Sequence, residues 1–118
     1  MDNLKTKRIF DYKSDEHSSR LVSDFVGNTP FVMLSDKIYA KLESVNPGGS
    51  IKDRPVKWII DDAEKNSLLK PNDTIIEATS GNTGIALAMI GAERGYNIKI
   101  VMPCDMSEER KVLLKMFG

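Results

Sequence analysis

Two short loops hold the residues of this sequence that are best suited to chemistry. The first, "NPGGSIKDR" at 46–54, places Lys52 behind a glycine pair and a serine. The second, "TSGNTG" at 79–84, groups small polar side chains around a glycine. Those side chains belong to Thr79, Ser80, Asn82 and Thr83. A lysine amine can form a Schiff base, and small polar groups beside a glycine can bind a carboxylate or a phosphate.

Each loop also has an ordinary structural interpretation. A loop lysine such as Lys52 is commonly a solvated surface charge, and the alternative is a partly desolvated amine at the mouth of a crevice. The 79–84 loop opens a helix, whose first amides suit an anion, but its polar residues equally fit an N-cap with extra turn residues. Neither loop matches a P-loop, and no G-x-G-x-x-G motif is present. The residue types alone leave these alternatives open.

The elements around Lys52 follow from apolar spacing. The segments "FVML" and "IYAKLE" predict two short strands separated by "SDK". A helix is predicted over about 53–66, with Pro55 in its first turn, so Lys52 lies at the junction of loop and helix. The expected buried stripe of this helix consists of Val56, Ile59, Ile60 and Ala63.

Two further strand–loop–helix units follow along the chain. The strand "TIIEA" leads through the 79–84 loop into a largely apolar helix that ends near Arg94, with Gly95 as its C-cap. The strand "NIKIVMP" leads to a helix beginning at Ser107. Alternating strands and helices predict an α/β fold with a three-layer, open, mostly parallel sheet and flanking helices.

In that fold the three strand-to-helix loops meet at the carboxyl edge of one sheet, where ligands commonly bind. We therefore expect Lys52 and the 79–84 loop to face a shared crevice. The polar segment 1–25 is expected to be an N-terminal arm, and 26–118 to be a partial α/β domain that carries both loops.

Composition excludes several classes of function. Lys plus Arg and Asp plus Glu both number 17, so no basic excess favours nucleic acid. The single cysteine, Cys104, rules out an intrachain disulfide and fits a reducing compartment. We see no apolar run long enough to span a membrane, no signal-peptide pattern and no metal-ligand spacing. The expectation is a cytoplasmic protein without a metal site.

The two loops together, in this order and about 30 residues apart, resemble the cysteine synthase (O-acetylserine sulfhydrylase) family. That family belongs to the fold type II pyridoxal-phosphate enzymes, which include cystathionine β-synthase. The likeness runs from about "VGNTPFVML" to the C-terminus, roughly 95 residues, and includes "VMPCDMSEERKVLLKMFG".

The resemblance implies a role for each loop residue. Lys52 would be the Schiff-base lysine of pyridoxal 5′-phosphate and also the base that removes the substrate's α-proton. Asn82 would bind the cofactor's 3′ oxygen. The amino-acid carboxylate would be bound by Thr79, Ser80, Asn82 and Thr83. The implied reaction joins sulfide or another thiol to an O-activated serine, giving L-cysteine in the first case.

The sequence also departs from that family. Its glycine- and threonine-rich loop for the cofactor phosphate and its C-terminal large domain have no counterpart in these 118 residues. We expect an N-terminal part of such an enzyme, with little or no activity alone and a homodimer in the full-length form. Left open are a cystathionine β-synthase-like or cysteine-desulfhydrase activity, and a non-catalytic α/β fragment that binds a partner or an anion.

Overall fold

A computed structural model describes residues 20–117. A short 3₁₀ helix, Val22–Phe25, precedes strands β1 (Phe31–Ser35) and β2 (Ile38–Lys41), and a second 3₁₀ helix, Glu43–Val45, follows them. The chain continues with α1 (Asp53–Lys65), β3 (Thr74–Ala78), α2 (Asn82–Arg94), β4 (Asn97–Val101) and α3 (Glu108–Phe117). The α/β class and the order of these elements agree with the sequence-based prediction.

The sheet topology differs from the prediction. Within 20–117 the strands form two separate two-stranded sheets: β1 and β2 pair antiparallel, and β3 and β4 pair parallel. The prediction of a single, mostly parallel sheet in a three-layer fold was therefore wrong for this part of the chain. The reason is the short connection between β1 and β2, because a tight turn folds β2 back onto β1 as a hairpin. The predicted parallel unit is present only as β3–α2–β4.

This topology changes where the lysine loop lies. The loop follows β2, which belongs to the hairpin, whereas the 79–84 loop follows β3 of the parallel sheet. The expectation that all three loops meet at the edge of one sheet is therefore wrong. The relative position of the two motif loops is therefore set by the packing of α1 against α2, and not by a common sheet.

The core lies between α1, α2 and one face of the parallel sheet. Val56 and Ile60 of α1 are buried against α2, and partly buried side chains of β3, β4 and α3 pack around them. The buried members of this cluster are Val56, Ile60, Ala86, Leu87, Met89 and Ile90. The predicted burial of α2 is confirmed, and so is its C-cap, because Gly95 has φ +77°.

The buried stripe of α1 is narrower than predicted. Val56 and Ile60 are 3% and 1% exposed, but Ile59 is 63% exposed. The first helical residue, Asp53, is fully buried, so the stripe runs along 53, 56 and 60 and leaves Ile59 on its flank. A charged residue at the start of the stripe was not expected from apolar spacing, which counts only apolar side chains.

None of the helices within the described range is long and apolar enough to cross a membrane. Residues 1–19 and 118, including His17, lie outside the described residues. The 3₁₀ helix at Val22–Phe25 is fastened to the C-terminal half of α2, because the amide of Ser23 donates a hydrogen bond of 2.8 Å to Glu93 Oε2 and its hydroxyl donates to Oε1.

Candidate functional site

The loop before Lys52 is fixed by backbone and side-chain hydrogen bonds. The amide of Gly49 donates to the carbonyl of Asn46 at 2.7 Å, which closes a turn with φ +79° at Gly49. Glycine adopts that angle without steric cost. Ser50 is buried, and its Oγ accepts a hydrogen bond of 3.1 Å from the amide of Lys52.

Lys52 itself is the N-cap residue of α1, and its side chain is exposed. Its carbonyl accepts the first bond of the helix, from the amide of Val56 at 3.2 Å. Within residues 20–117 the Nζ atom makes no hydrogen bond or salt bridge, so the amine is available to a ligand. The structure thus has Lys52 at the loop–helix junction that the sequence predicted.

A cluster of polar side chains secures the other side of this loop. Arg54 donates hydrogen bonds from Nε and Nη2 to the carboxylate of Glu43, at 2.7 and 2.9 Å, and Nη2 also reaches Thr29 Oγ1. The amide side chain of Asn46 donates to Glu43 Oε2 at 2.9 Å. These bonds, from Arg54 first and then from Thr29 and Asn46, lower the pKa of Glu43 to about 2.

Sequence reasoning identified Arg54 as an ion-pair residue but missed its partner. Glu43 lies 11 residues earlier, in the 3₁₀ helix after β2, and Thr29 lies 25 residues earlier. No periodic pattern connects positions separated by an irregular loop, so only the polar residue types themselves pointed to this cluster.

The 79–84 loop leaves its polar groups available. Gly81 is the N-cap of α2, without a side-chain capping bond, and its amide donates to Thr79 Oγ1 at 3.3 Å. Across the described part of the chain, no hydrogen bond is recorded for the side chains of Ser80, Asn82 and Thr83. The helix start therefore offers several unpaired donors, which suits a carboxylate.

Neighbouring elements hold this loop in place. The amide of Thr79 donates to Val101 O at 3.0 Å and so extends the pairing of β3 with β4. From α3, Arg110 Nη1 donates to Ser80 O at 2.7 Å. A shallow depression of about 470 Å³ opens beside the loop, between the ends of β3 and β4. Its lining includes Thr79 and Ser80 but not Lys52.

The helix pair places the starts of α1 and α2 at one end. Both helices contain 13 residues, and they share the buried cluster along their length. Near their C-terminal ends, Arg94 pairs with Asp61 at 2.6 Å and with Glu64 at 2.7 Å. Because the C-terminal ends are joined, the N-terminal ends that carry Lys52 and Asn82 lie at the opposite end of the pair. Within 20–117, however, no hydrogen bond joins the two loops.

The match to known proteins covers most of the chain. A family model described as "Pyridoxal-phosphate dependent enzyme" matches residues 22–118. The chain belongs to the pyridoxal-phosphate-dependent enzyme family. The resemblance to cysteine synthases that the two loops indicated is thereby confirmed.

Three relatives place the chain within this pyridoxal-phosphate family. A cysteine synthase of Aquifex aeolicus is 50% identical over 103 residues, which cover 79% of this chain and 32% of the relative. The crystal structure of an O-ureido-L-serine synthase matches with a TM-score of 0.78 and 48% identity, over 83% of this chain and 33% of that one. A hydrogen sulfide-producing enzyme of Fusobacterium nucleatum matches with a TM-score of 0.79 and 47% identity, over 86% and 36%.

The chain spans about a third of the length of most of the curated relatives it matches. The described residues include groups suited to hold one end of pyridoxal phosphate. Lys52 carries a primary amine that bonds to none of the described residues, and the side chains of Ser80, Asn82 and Thr83 likewise have no partner among residues 20–117. This set of donors fits the aldehyde and ring-oxygen end of pyridoxal phosphate.

Other reactive residues do not join this site. Cys104 is exposed in the loop after β4, and its carbonyl accepts a long hydrogen bond of 3.4 Å from Lys111 Nζ. In the described range no three histidine, cysteine or acidic side chains are grouped closely enough to hold a metal ion.

Proposed function

We propose that this chain takes part in a pyridoxal-phosphate-dependent β-replacement, in which sulfide and an O-activated serine give L-cysteine. The observation that carries the proposal is the arrangement of the two motif loops. An available lysine amine and an available group of small polar donors each open a helix, and the two helices start at the same end of a packed pair. The 50% identity to a cysteine synthase supports the choice of reaction.

In this proposal Lys52 would hold the cofactor through its amine, and Asn82 would hydrogen-bond the 3′ oxygen. When bound, pyridoxal phosphate withdraws electrons from the substrate's α-carbon. The substrate's amine would first displace Lys52 from the cofactor, and the freed Nζ atom would then take the proton from that carbon, so one side chain serves as tether and as general base. Its place at the helix start fixes the backbone from which the amine reaches the substrate.

The substrate's carboxylate would be bound by the 79–84 loop. Thr79, Ser80, Asn82 and Thr83 offer hydroxyl and amide donors, and the first amides of α2 add the positive end of a helix. At the substrate's β-carbon the bond to oxygen breaks, and the leaving group takes the electron pair. Sulfide then supplies the pair that forms the new carbon–sulfur bond, and Lys52 Nζ would return the proton to the α-carbon.

A second candidate is the release of sulfide from cysteine. It is favoured by the match to a hydrogen sulfide-producing enzyme with a TM-score of 0.79. The same groups would act, but the carbon–sulfur bond of cysteine would be the one that breaks. Sulfide would leave with the electron pair after loss of the α-proton, and water would convert the remaining three-carbon unit to pyruvate and ammonia. For either reaction we propose a homodimer as the working form, as the resemblance to the family implies.

The test is an assay with both reactions measured side by side. The chain would be mixed with pyridoxal phosphate and a polypeptide that carries the remaining two-thirds of the Aquifex aeolicus cysteine synthase. We expect cysteine to form from O-acetyl-L-serine and sulfide, and the Lys52→Ala chain to form none. Lys65→Ala, which removes an exposed lysine from the same helix, is the control.

Each outcome of this assay has a defined meaning. Sulfide release from cysteine at a rate above that of cysteine formation would favour the second candidate. Equal activity of the Lys52→Ala and unaltered chains would overturn both candidates, because each assigns the cofactor bond and the proton transfer to Lys52.

A further inference from the structure

Asp53 is a buried carboxyl that the proposed reaction does not use. It is the first residue of α1 and is 0% exposed. Its Oδ2 accepts a hydrogen bond from the amide of Gly48, while Oδ1 has no partner among the described residues. Burial raises the pKa of Asp53, and the bond from Gly48 opposes that shift. A buried oxygen without a partner costs stability, so helix capping alone does not explain this placement.

Asp53 and Gly48 fit against each other. A Cβ atom added to Gly48 would overlap the carboxylate of Asp53. The carboxylate thus occupies the space that any other residue at position 48 would need. An exposed acidic residue at a helix start also complements the helix dipole. That role therefore does not require the burial of the Asp53 carboxylate or its close contact with Gly48.

The lysine loop is therefore anchored at both of its ends. At the first end, Asn46 accepts a hydrogen bond of 2.8 Å from the amide of Gly27 and donates to Glu43. At the second end, Asp53 holds the amide of Gly48. Lys52 lies directly beside this second anchor, and its own amide is bound to Ser50 Oγ.

We propose that Asp53 is a positioning residue for Lys52: its buried carboxyl holds the Gly48 turn and so fixes the direction in which Lys52 leaves the start of α1. This inference rests on the proposed function in one respect, which is that Lys52 is the residue that bonds the cofactor. A lysine held in this way meets the cofactor's aldehyde without first having to order its loop. Asp53 acts through Lys52 and touches no substrate.

The test compares Asp53→Ala and Asp53→Asn with Asp62→Asn, a matched control on an exposed residue of the same helix. The first readout is amide hydrogen exchange of residues 48–52 without cofactor. The second is the ratio of label at Lys52 to label at Lys65 after treatment with pyridoxal phosphate and borohydride. A loss of stability that leaves the chain folded would not change this ratio.

We expect Asp53→Ala to speed exchange in 48–52 by about tenfold. It should also lower the Lys52-to-Lys65 ratio by about fivefold, because the amine is no longer held in place. Asp53→Asn retains an oxygen that can accept from Gly48, so it should restore most of both properties. Asp62→Asn should change neither of them.

Unchanged exchange in Asp53→Ala would overturn the proposal, and so would faster exchange with an unchanged labelling ratio. If the unaltered chain shows no preference for Lys52, the proposed function fails, while the exchange measurement still decides whether Asp53 holds the loop. If Asp53→Ala does not fold, Gly48→Ala gives a second route, since its Cβ meets the same carboxylate. Gly48→Ala should speed amide exchange in residues 48–52. Adding Asp53→Asn should leave the exchange fast, because the side chain at position 53 keeps its size. Exchange in Gly48→Ala as slow as in the unaltered chain would contradict the close contact between Gly48 and Asp53.

Discussion

At the scale of single residues, Lys52 combines a hydrogen-bonded backbone with an amine that has no partner within residues 20–117. The backbone is bound through Ser50 and Val56, while the side chain is exposed. Residue types alone could not separate a surface charge from a reactive lysine. The structure adds the buried carboxyl beside it, which the sequence marked only as a charged residue at a helix start. The burial of the Asp53 carboxyl depends on the conformation of the whole 46–54 loop, which no local sequence pattern predicts.

The pair of Glu43 and Arg54 predicts a response to acid. The pKa of Glu43 is lowered from 4.5 to about 2, so its ionised form stabilises the folded state above about pH 4.5. This contribution should be lost as the pH falls from 4.5 towards 2. In Glu43→Gln, the free energy of unfolding should vary less with pH in that range. Urea unfolding at several pH values measures this dependence of the free energy of unfolding on pH.

Glu77→Gln is the control for that experiment, because Glu77 is exposed on β3. It should leave the pH dependence as it is in the unaltered chain. The same slope in Glu43→Gln and in the unaltered chain would show that the cluster around Arg54 does not form in solution.

At the scale of elements, the helices were predicted closely and the strand pairing was not. The first helix was expected over about 53–66 and is found at Asp53–Lys65, and the second ends at Arg94 as expected. Helix bounds depend on caps and spacing within a few residues, which the sequence displays. The pairing of β2 with β1 follows from their short connection, which the sequence displays, and the prediction of one parallel sheet did not take this hairpin into account.

The contact between α2 and β4 gives a prediction at this scale. A Cβ at Gly91 would overlap the Cγ1 and Cδ1 atoms of Ile98, on the strand beneath the helix. Gly91→Ala should therefore lower the free energy of unfolding by about 1–3 kcal/mol, the usual cost of overpacking a core. Adding Ile98→Val removes the Cδ1 atom and should recover part of the loss. Chemical denaturation measures both variants.

Gly81→Ala is the matched control, because a Cβ there meets nothing within 4 Å. Its effect on stability should be within about 0.5 kcal/mol, as for other substitutions in open space. A Gly91→Ala variant as stable as Gly81→Ala would mean that α2 is not seated on β4 as closely as described.

At the scale of the whole molecule, much apolar surface of residues 20–117 is open to water. In the hairpin, Phe31 stacks on Tyr39 with ring centroids 5.2 Å apart, yet both rings are more than half exposed. Trp58 on α1 is 71% exposed, and Ile76 on the free face of the parallel sheet is 63% exposed. Large apolar side chains are thus exposed on the hairpin, on α1 and on the parallel sheet.

Trp58 reports on that surface directly, because it is the only tryptophan in the sequence. In the dilute chain its fluorescence should resemble that of an indole in water and should be quenched readily by iodide. Protection from iodide that grows with protein concentration would instead show that copies of the chain cover this face of α1.

The central claim is that Lys52 is the lysine that bonds pyridoxal phosphate. The most direct measurement is to incubate the unaltered chain with the cofactor, reduce with borohydride and locate the modified lysines by peptide mass spectrometry. We predict that the label concentrates at Lys52 and that Lys52→Arg removes it without raising the label at Lys57 or Lys65. A label spread evenly over the surface lysines, and unchanged in Lys52→Arg, would contradict the account.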